Sequence, residues 1–247
     1  MTKKKSATQA SARGDRRAAR RQREQRRQRQ RYLAFGIIGV GIALLAILIW
    51  WASRPPTVEM ANLHQDQPPG ADGMAWGGPE GAAVVIQEYS DFGCGHCGNF
   101  ALGTGRELIE HYADNPNVRF EYRPFYLSQT TMNAAVGAIC AAEQNLFWPY
   151  HDTLFANQSG GPAVFEKPFL KEIAVGIGAN AKAFNNCLDG GAARRTVNDI
   201  RSEGENLGVN ATPTFFINGK RISGNRPLSE FVQAIDQALA EAGASSS

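Results

Sequence analysis

The sequence predicts an α/β protein: a mixed sheet covered by helices on both faces, with an extra helical lobe, preceded by one transmembrane helix. Three observations carry this. Residues 32–53 form an uncharged, largely apolar run. Beyond it the signals come in the order strand, helix, strand, helical insertion, hairpin, helix, which is the order of a sheet with helices packed on it. The insertion is long, about 131–207, and reads as a lobe of its own.

The apolar run spans a membrane by length. About 20 residues at a rise of 1.5 Å cross a hydrocarbon core of roughly 30 Å. Tyr32 stands at one end and Trp50-Trp51 at the other, as in an aromatic belt. A cleaved signal peptide is the rival. The run exceeds the usual apolar region of such a peptide, and 51–56 offers no clear small-x-small cleavage site. An uncleaved signal anchor is the expectation.

Charge sets the orientation. Residues 1–31 hold 13 of the 26 Lys and Arg against only Asp15 and Glu24. The rest of the chain holds 13 bases against 21 acids. The basic flank is expected in the cytoplasm, so everything past the span is expected outside it. The arm is read as disordered, and as a topology determinant that also meets anionic lipid. Its place directly before a span argues against a nucleic-acid tail.

Residues 54–81, rich in Pro and Gly, read as a tether with little structure of its own. The body is expected over 82–243. Residues 83–89 are a short apolar, β-branched run and read as a buried strand. A helix is expected from about Cys94 to the Pro116 stop. Residues 118–125 alternate as a second strand. In the insertion, Ala134, Ala135, Ala138, Ile139 and Ala142 fit one helix face. Asn218-Gly219 between apolar runs predicts a hairpin over 214–223. A final amphipathic helix covers 228–242.

The four cysteines are Cys94, Cys97, Cys140 and Cys187, all past the span. Four are too few for a disulfide scaffold. Cys94-Gly95-His96-Cys97 has no second CxxC or spaced His pair to complete a zinc site, and Gly98 in place of His excludes c-type haem attachment. No metal and no cofactor are expected. Redox exchange is the remaining chemistry. A CxxC after a buried strand falls in the first turn of a helix, where free N–H groups and the positive end of the dipole stabilise a thiolate. Cys94 is therefore expected to be the exposed nucleophile and Cys97 the resolving thiol. The His96 imidazole either supports that thiolate or is a solvated loop residue.

Together, the segment Glu88 to Cys97 and the segment Thr212-Pro213-Thr214-Phe215-Phe216-Ile217-Asn218-Gly219 resemble the thioredoxin superfamily. The helical insertion resembles its DsbA-like branch, and the likeness covers roughly 80–242. The resemblance implies a thioredoxin-like fold, with Pro213 a cis-proline opposite the redox pair. Thr212 would then offer backbone hydrogen bonds to a substrate strand. Glu88 matches the buried acid that would take a proton from Cys97; alternation also allows it a surface place. Cys140 and Cys187 match positions of a structural bridge in similar branch members. From the residues alone, two buried thiols or a second redox pair stay open. Gly95-His96 departs from the Pro-His of strongly oxidising members and is more like the dipeptide of protein disulfide isomerases.

The expected function is extracytoplasmic thiol–disulfide exchange, oxidising thiols of exported proteins, with a membrane redox partner that reoxidises the dithiol. A reductase or isomerase for a dedicated client is the nearest rival. A membrane-tethered chaperone or metal-binding module is the other.

Overall fold

The structure, a computed structural model of the 247-residue chain, describes residues 28–33, 35–54 and 67–245. The expected lipid contact of the basic arm through residue 27, and the tether over 55–66, lie outside the described residues.

Helix α1, Gln28–Ala52, is long and apolar enough to cross a membrane. Its 25 residues reach about 37 Å at the helical rise, more than a hydrocarbon core requires. Ile37, Leu44 and Ile47 are exposed along it.

Residues 67–245 belong to a second compact unit. Its sheet has five strands in the order β1-β3-β2-β4-β5. These are β1 Ala75–Gly77, β2 Val84–Ser90, β3 Val118–Pro124, β4 Thr214–Ile217 and β5 Lys220–Ser223. Strands β2 and β3 run parallel; the other three pairings are antiparallel. Asn218-Gly219 turns the β4–β5 hairpin with both residues at positive φ, as the pair's chemistry favours.

Strand β2 is central and is covered on both faces. On one face Ile86 and Glu88 alternate in register with Phe120 and Tyr122 of β3 and with Ile217 and Phe215 of β4. Phe231 of α9 (Leu228–Ser245) packs there on Phe215 at 4.8 Å between ring centroids. On the other face Tyr89 meets Phe125 and Phe216 edge-on. Helix α8, Ala192–Asn206, lies against that face at Gly204, where an added Cβ would stand 2.9 Å from both Tyr89 and Phe125.

The helical lobe comprises α4 Met132–Ala142, α5 Phe147–Ala156, α6 Lys167–Gly176 and α7 Ala181–Asp189, continuing into α8. Helix α4 is its axis, buried from Ala134 to Ala141. Small residues allow this burial. Gly137 lets the Tyr150 hydroxyl approach to where a Cβ would sit. A disulfide joins Cys140 on α4 to Cys187 on α7.

Two sequence expectations change. The ordered unit reaches into the stretch read as tether: β1 pairs antiparallel with β3, and Trp76 stacks on Phe120 at 5.1 Å. Three residues among prolines and glycines carry too little alternation to read as a strand. The helix expected over 94–115 is divided into α2 Gly95–Asn99, a π-helical turn Phe100–Thr104, and α3 Gly105–Tyr112. The widened turn seats Phe100 against Phe215 and Phe231, and Gly105 accommodates it, since a Cβ there would come within 3.0 Å of the Phe100 carbonyl.

Candidate active site

Strand β2 ends at Ser90, and the chain turns through Asp91-Phe92-Gly93 into α2. Asp91 holds that turn. One carboxylate oxygen accepts from the Gly93 amide at 2.9 Å and the other from the Leu127 amide at 2.7 Å. Gly93 lies so close to Thr131 that a Cβ would stand 2.5 Å from its methyl group. Cys94 is the N-cap residue of α2, with extended backbone. Its sulfur is half-buried, while Cys97, one turn on, is fully buried. Both are free thiols.

The opposite wall is the loop before β4. The Thr212–Pro213 peptide is cis. The Cys94 thiol donates to the Thr212 carbonyl at 3.3 Å. The Thr212 hydroxyl is buried and has no partner among the described residues, so it is available to a thiolate. A hydrogen bond from the Cys97 thiol is the main force pulling the Cys94 pKa down, to about 5. The Thr212 hydroxyl and the backbone amides of Cys97 and His96 add to it, and burial opposes it. Cys97 moves the other way. Burial pushes its thiol far above the usual range, and its bond to Cys94 and the charge of Glu88 push further. One sulfur is thus ionised near neutral pH and its partner holds a proton.

Glu88 sits beneath this pair, 1% exposed. Burial raises its carboxyl to about 8; the Cys94 charge adds to the rise and the Ser90 hydroxyl opposes it. Its Oε1 has no hydrogen-bond partner among the described residues. A cavity of about 240 Å³, lined in part by Trp76, Phe100, Phe120 and Trp148, reaches the carboxyl, and it has room for water.

Of the residues singled out from sequence, the structure brings together Cys94, Cys97, Glu88, Thr212 and Pro213. His96 is at the site too, but its side chain is exposed, and its contribution to the sulfur is the backbone amide. Cys140 and Cys187 lie in the lobe, bridged to each other. Four residues were not singled out. Ser90 and Tyr122 flank Glu88, with the Tyr122 hydroxyl 3.5 Å from the Ser90 carbonyl. Asp91 fixes the turn, and an Asp two residues before a Gly at a strand end is a readable Asx signal. Gln158 reaches over from the lobe, and nothing in its local sequence marks it.

The family model described as Thioredoxin matches residues 71–237. The chain belongs to the thioredoxin family. The fold is also that of DsbA-type proteins. The crystal structure of α-DsbA1 from Wolbachia pipientis is similar with a TM-score of 0.63 and 23% identity, over 70% of this chain and 94% of that one. Oxidised BdbD from Bacillus subtilis is similar with a TM-score of 0.61 and 20% identity, over 72% of this chain and all of that one. Among curated proteins, a Na(+)/H(+) antiporter NhaA of Herminiimonas arsenicoxydans is 31% identical over 148 residues, which is 60% of this chain. The matched region is 23% of that antiporter's length, so the chain spans about a quarter of it.

Proposed function

We propose that this thioredoxin-family chain is a membrane-anchored, extracytoplasmic protein thiol–disulfide oxidoreductase that oxidises the thiols of exported proteins. The observation that carries the reading is the opposed pair: an ionisable, half-buried Cys94 at a helix start, and a buried, proton-holding Cys97. The likeness to α-DsbA1 and BdbD extends to fold. Antiporter activity is not part of the proposal, because the match spans so little of that relative.

In the oxidised protein a substrate thiolate attacks the Cys94 sulfur. The Cys94–Cys97 bond breaks, a substrate–Cys94 disulfide forms, and Cys97 leaves as a thiolate. Glu88, protonated below pH of about 8, supplies the proton that this buried sulfur needs. A second substrate thiolate then attacks the substrate sulfur of the mixed disulfide. Substrate leaves oxidised, and Cys94 leaves as its stabilised thiolate, the better leaving group. Two electrons have passed from substrate to the dithiol, and a membrane redox partner returns the pair to the disulfide. Thr212, with its carbonyl 3.3 Å from the sulfur, is the residue a substrate backbone would meet.

The low Cys94 pKa favours the oxidising direction, since stabilising the reduced form raises the potential. The basic arm before α1 favours an outside active domain, and anionic lipid is the expected contact of that arm. The isomerase-like Gly95-His96 favours the second reading, a reductase or isomerase serving a dedicated client. Equilibration with glutathione separates the two. A potential near about −120 mV supports a donor of disulfides, and one near about −270 mV overturns that direction.

A further inference from the structure

We infer that Gln158, carried by the helical lobe, is a positioning residue for Cys94: its carboxamide clamps the Phe92 and Cys94 carbonyls and so aims the nucleophilic sulfur. Gln158 opens the short 3₁₀ turn after α5, 64 residues from Cys94 in sequence. Its Nε2 donates to the Phe92 carbonyl at 2.6 Å and to the Cys94 carbonyl at 2.9 Å. Two acceptors fix which end of the amide faces the turn, because only the nitrogen carries hydrogens. The Oε1 end faces α2 at Gly98, where an added Cβ would stand 2.8 Å from it. Residue 98 is therefore limited to glycine while Gln158 holds this pose.

The clamp acts on the bond that matters. The Cys94 carbonyl also accepts from the Cys97 and Gly98 amides at 3.0 and 3.1 Å, so its direction defines the first turn of α2. The same peptide orientation decides whether the Cys94 sulfur lies over the His96 and Cys97 amides. Asp91 holds the turn from the sheet side through Gly93 and Leu127. Gln158 holds it from the lobe side. Removing Gln158 leaves the Asp91 anchor, the Cys97 and Gly98 amide bonds and the hydrophobic core intact, but takes away the lobe-side hold on the Phe92 and Cys94 carbonyls.

The inference rests on Cys94 being the exchange nucleophile, and the experiment keeps the two apart. The thiolate absorbance of the reduced full-length protein in detergent is titrated for wild type, Gln158→Leu and Gln158→Glu. Both variants are expected to raise the Cys94 pKa. Glu, which turns two donors into a charge facing two carbonyls, should raise it more, leaving about tenfold less thiolate at a pH near the wild-type midpoint. Gly98→Ala should push the carboxamide aside and shift the titration the same way, with no further effect in Gln158→Leu. If Gln158→Leu fails to fold, Gln158→Met removes the same donors from an unbranched chain. Titrations that match wild type in the folded variants overturn the inference and leave the function standing. A Cys94→Ala protein that exchanges thiols as fast as wild type overturns the function instead.

Discussion

The Cys94 sulfur and the Thr212 carbonyl are 3.3 Å apart although 118 residues separate them in sequence. The contact joins the two ends of the fold's logic. Strand β2 delivers the first residue to a helix start, and β4, antiparallel beside β2, returns the second to the same edge. The Thr212 hydroxyl is placed to donate to the ionised sulfur. Thr212→Val keeps the shape and the carbonyl but removes that donor. The Cys94 pKa should rise from about 5, read as the midpoint of thiolate absorbance, and the protein should become less oxidising.

Glu88 makes stability depend on pH. Its folded pKa is raised, by burial first, from 4.5 to about 8. Below pH of 4.5 the carboxyl is neutral in both states and costs nothing further. As pH rises toward 8 the unfolded state gains by ionising and the folded state does not, so stability falls through that window and levels off above it. In the oxidised protein the Cys94 charge is gone, burial still raises the carboxyl, and the fall is read without the thiolate's own titration. Glu88→Gln should flatten the profile and stabilise the oxidised protein at pH 8 by a few kcal/mol, as order of magnitude. It should also slow exchange, since Cys97 would lose its proton donor. Denaturant unfolding across pH measures the first effect and stopped-flow thiol exchange the second.

The Cys140–Cys187 bridge closes a separation of 47 residues within the lobe. Chain entropy assigns it about 4 kcal/mol. Replacing both cysteines with Ala should lower the unfolding free energy by that order and leave exchange at Cys94 largely unchanged. Equal loss of exchange and stability would instead tie the bridge to the chemistry.

The membrane topology has its own test. In intact cells, reduced Cys94 should react with a membrane-impermeant maleimide, and Cys94→Ser should abolish that labelling. Labelling only after lysis would reverse the proposed orientation.

Much of the fold was legible because its signals are local. The β-branched run over 83–89 became β2, Val84–Ser90, and the Asn218-Gly219 pair marked its hairpin. The place of Cys94 and Cys97 was legible: a CxxC directly after a strand falls at a helix start, and Cys94 is the N-cap of α2. Residues acting from a distance were not. Strand β1 is three residues long and is defined by its pairing with β3, not by its own pattern. The π turn depends on where Phe100 must pack. Gln158 serves the site through the position of an entire lobe, and a glutamine near a helix end carries no mark of that.

Catalysed refolding measures exchange at Cys94 directly. A reduced, unfolded substrate protein is incubated with the oxidised full-length chain in detergent, beside its Cys94→Ala variant, and disulfide formation is followed in time. Rapid oxidation is expected with the wild type, and only the uncatalysed background rate with Cys94→Ala. Equal rates with the two proteins would contradict exchange at Cys94.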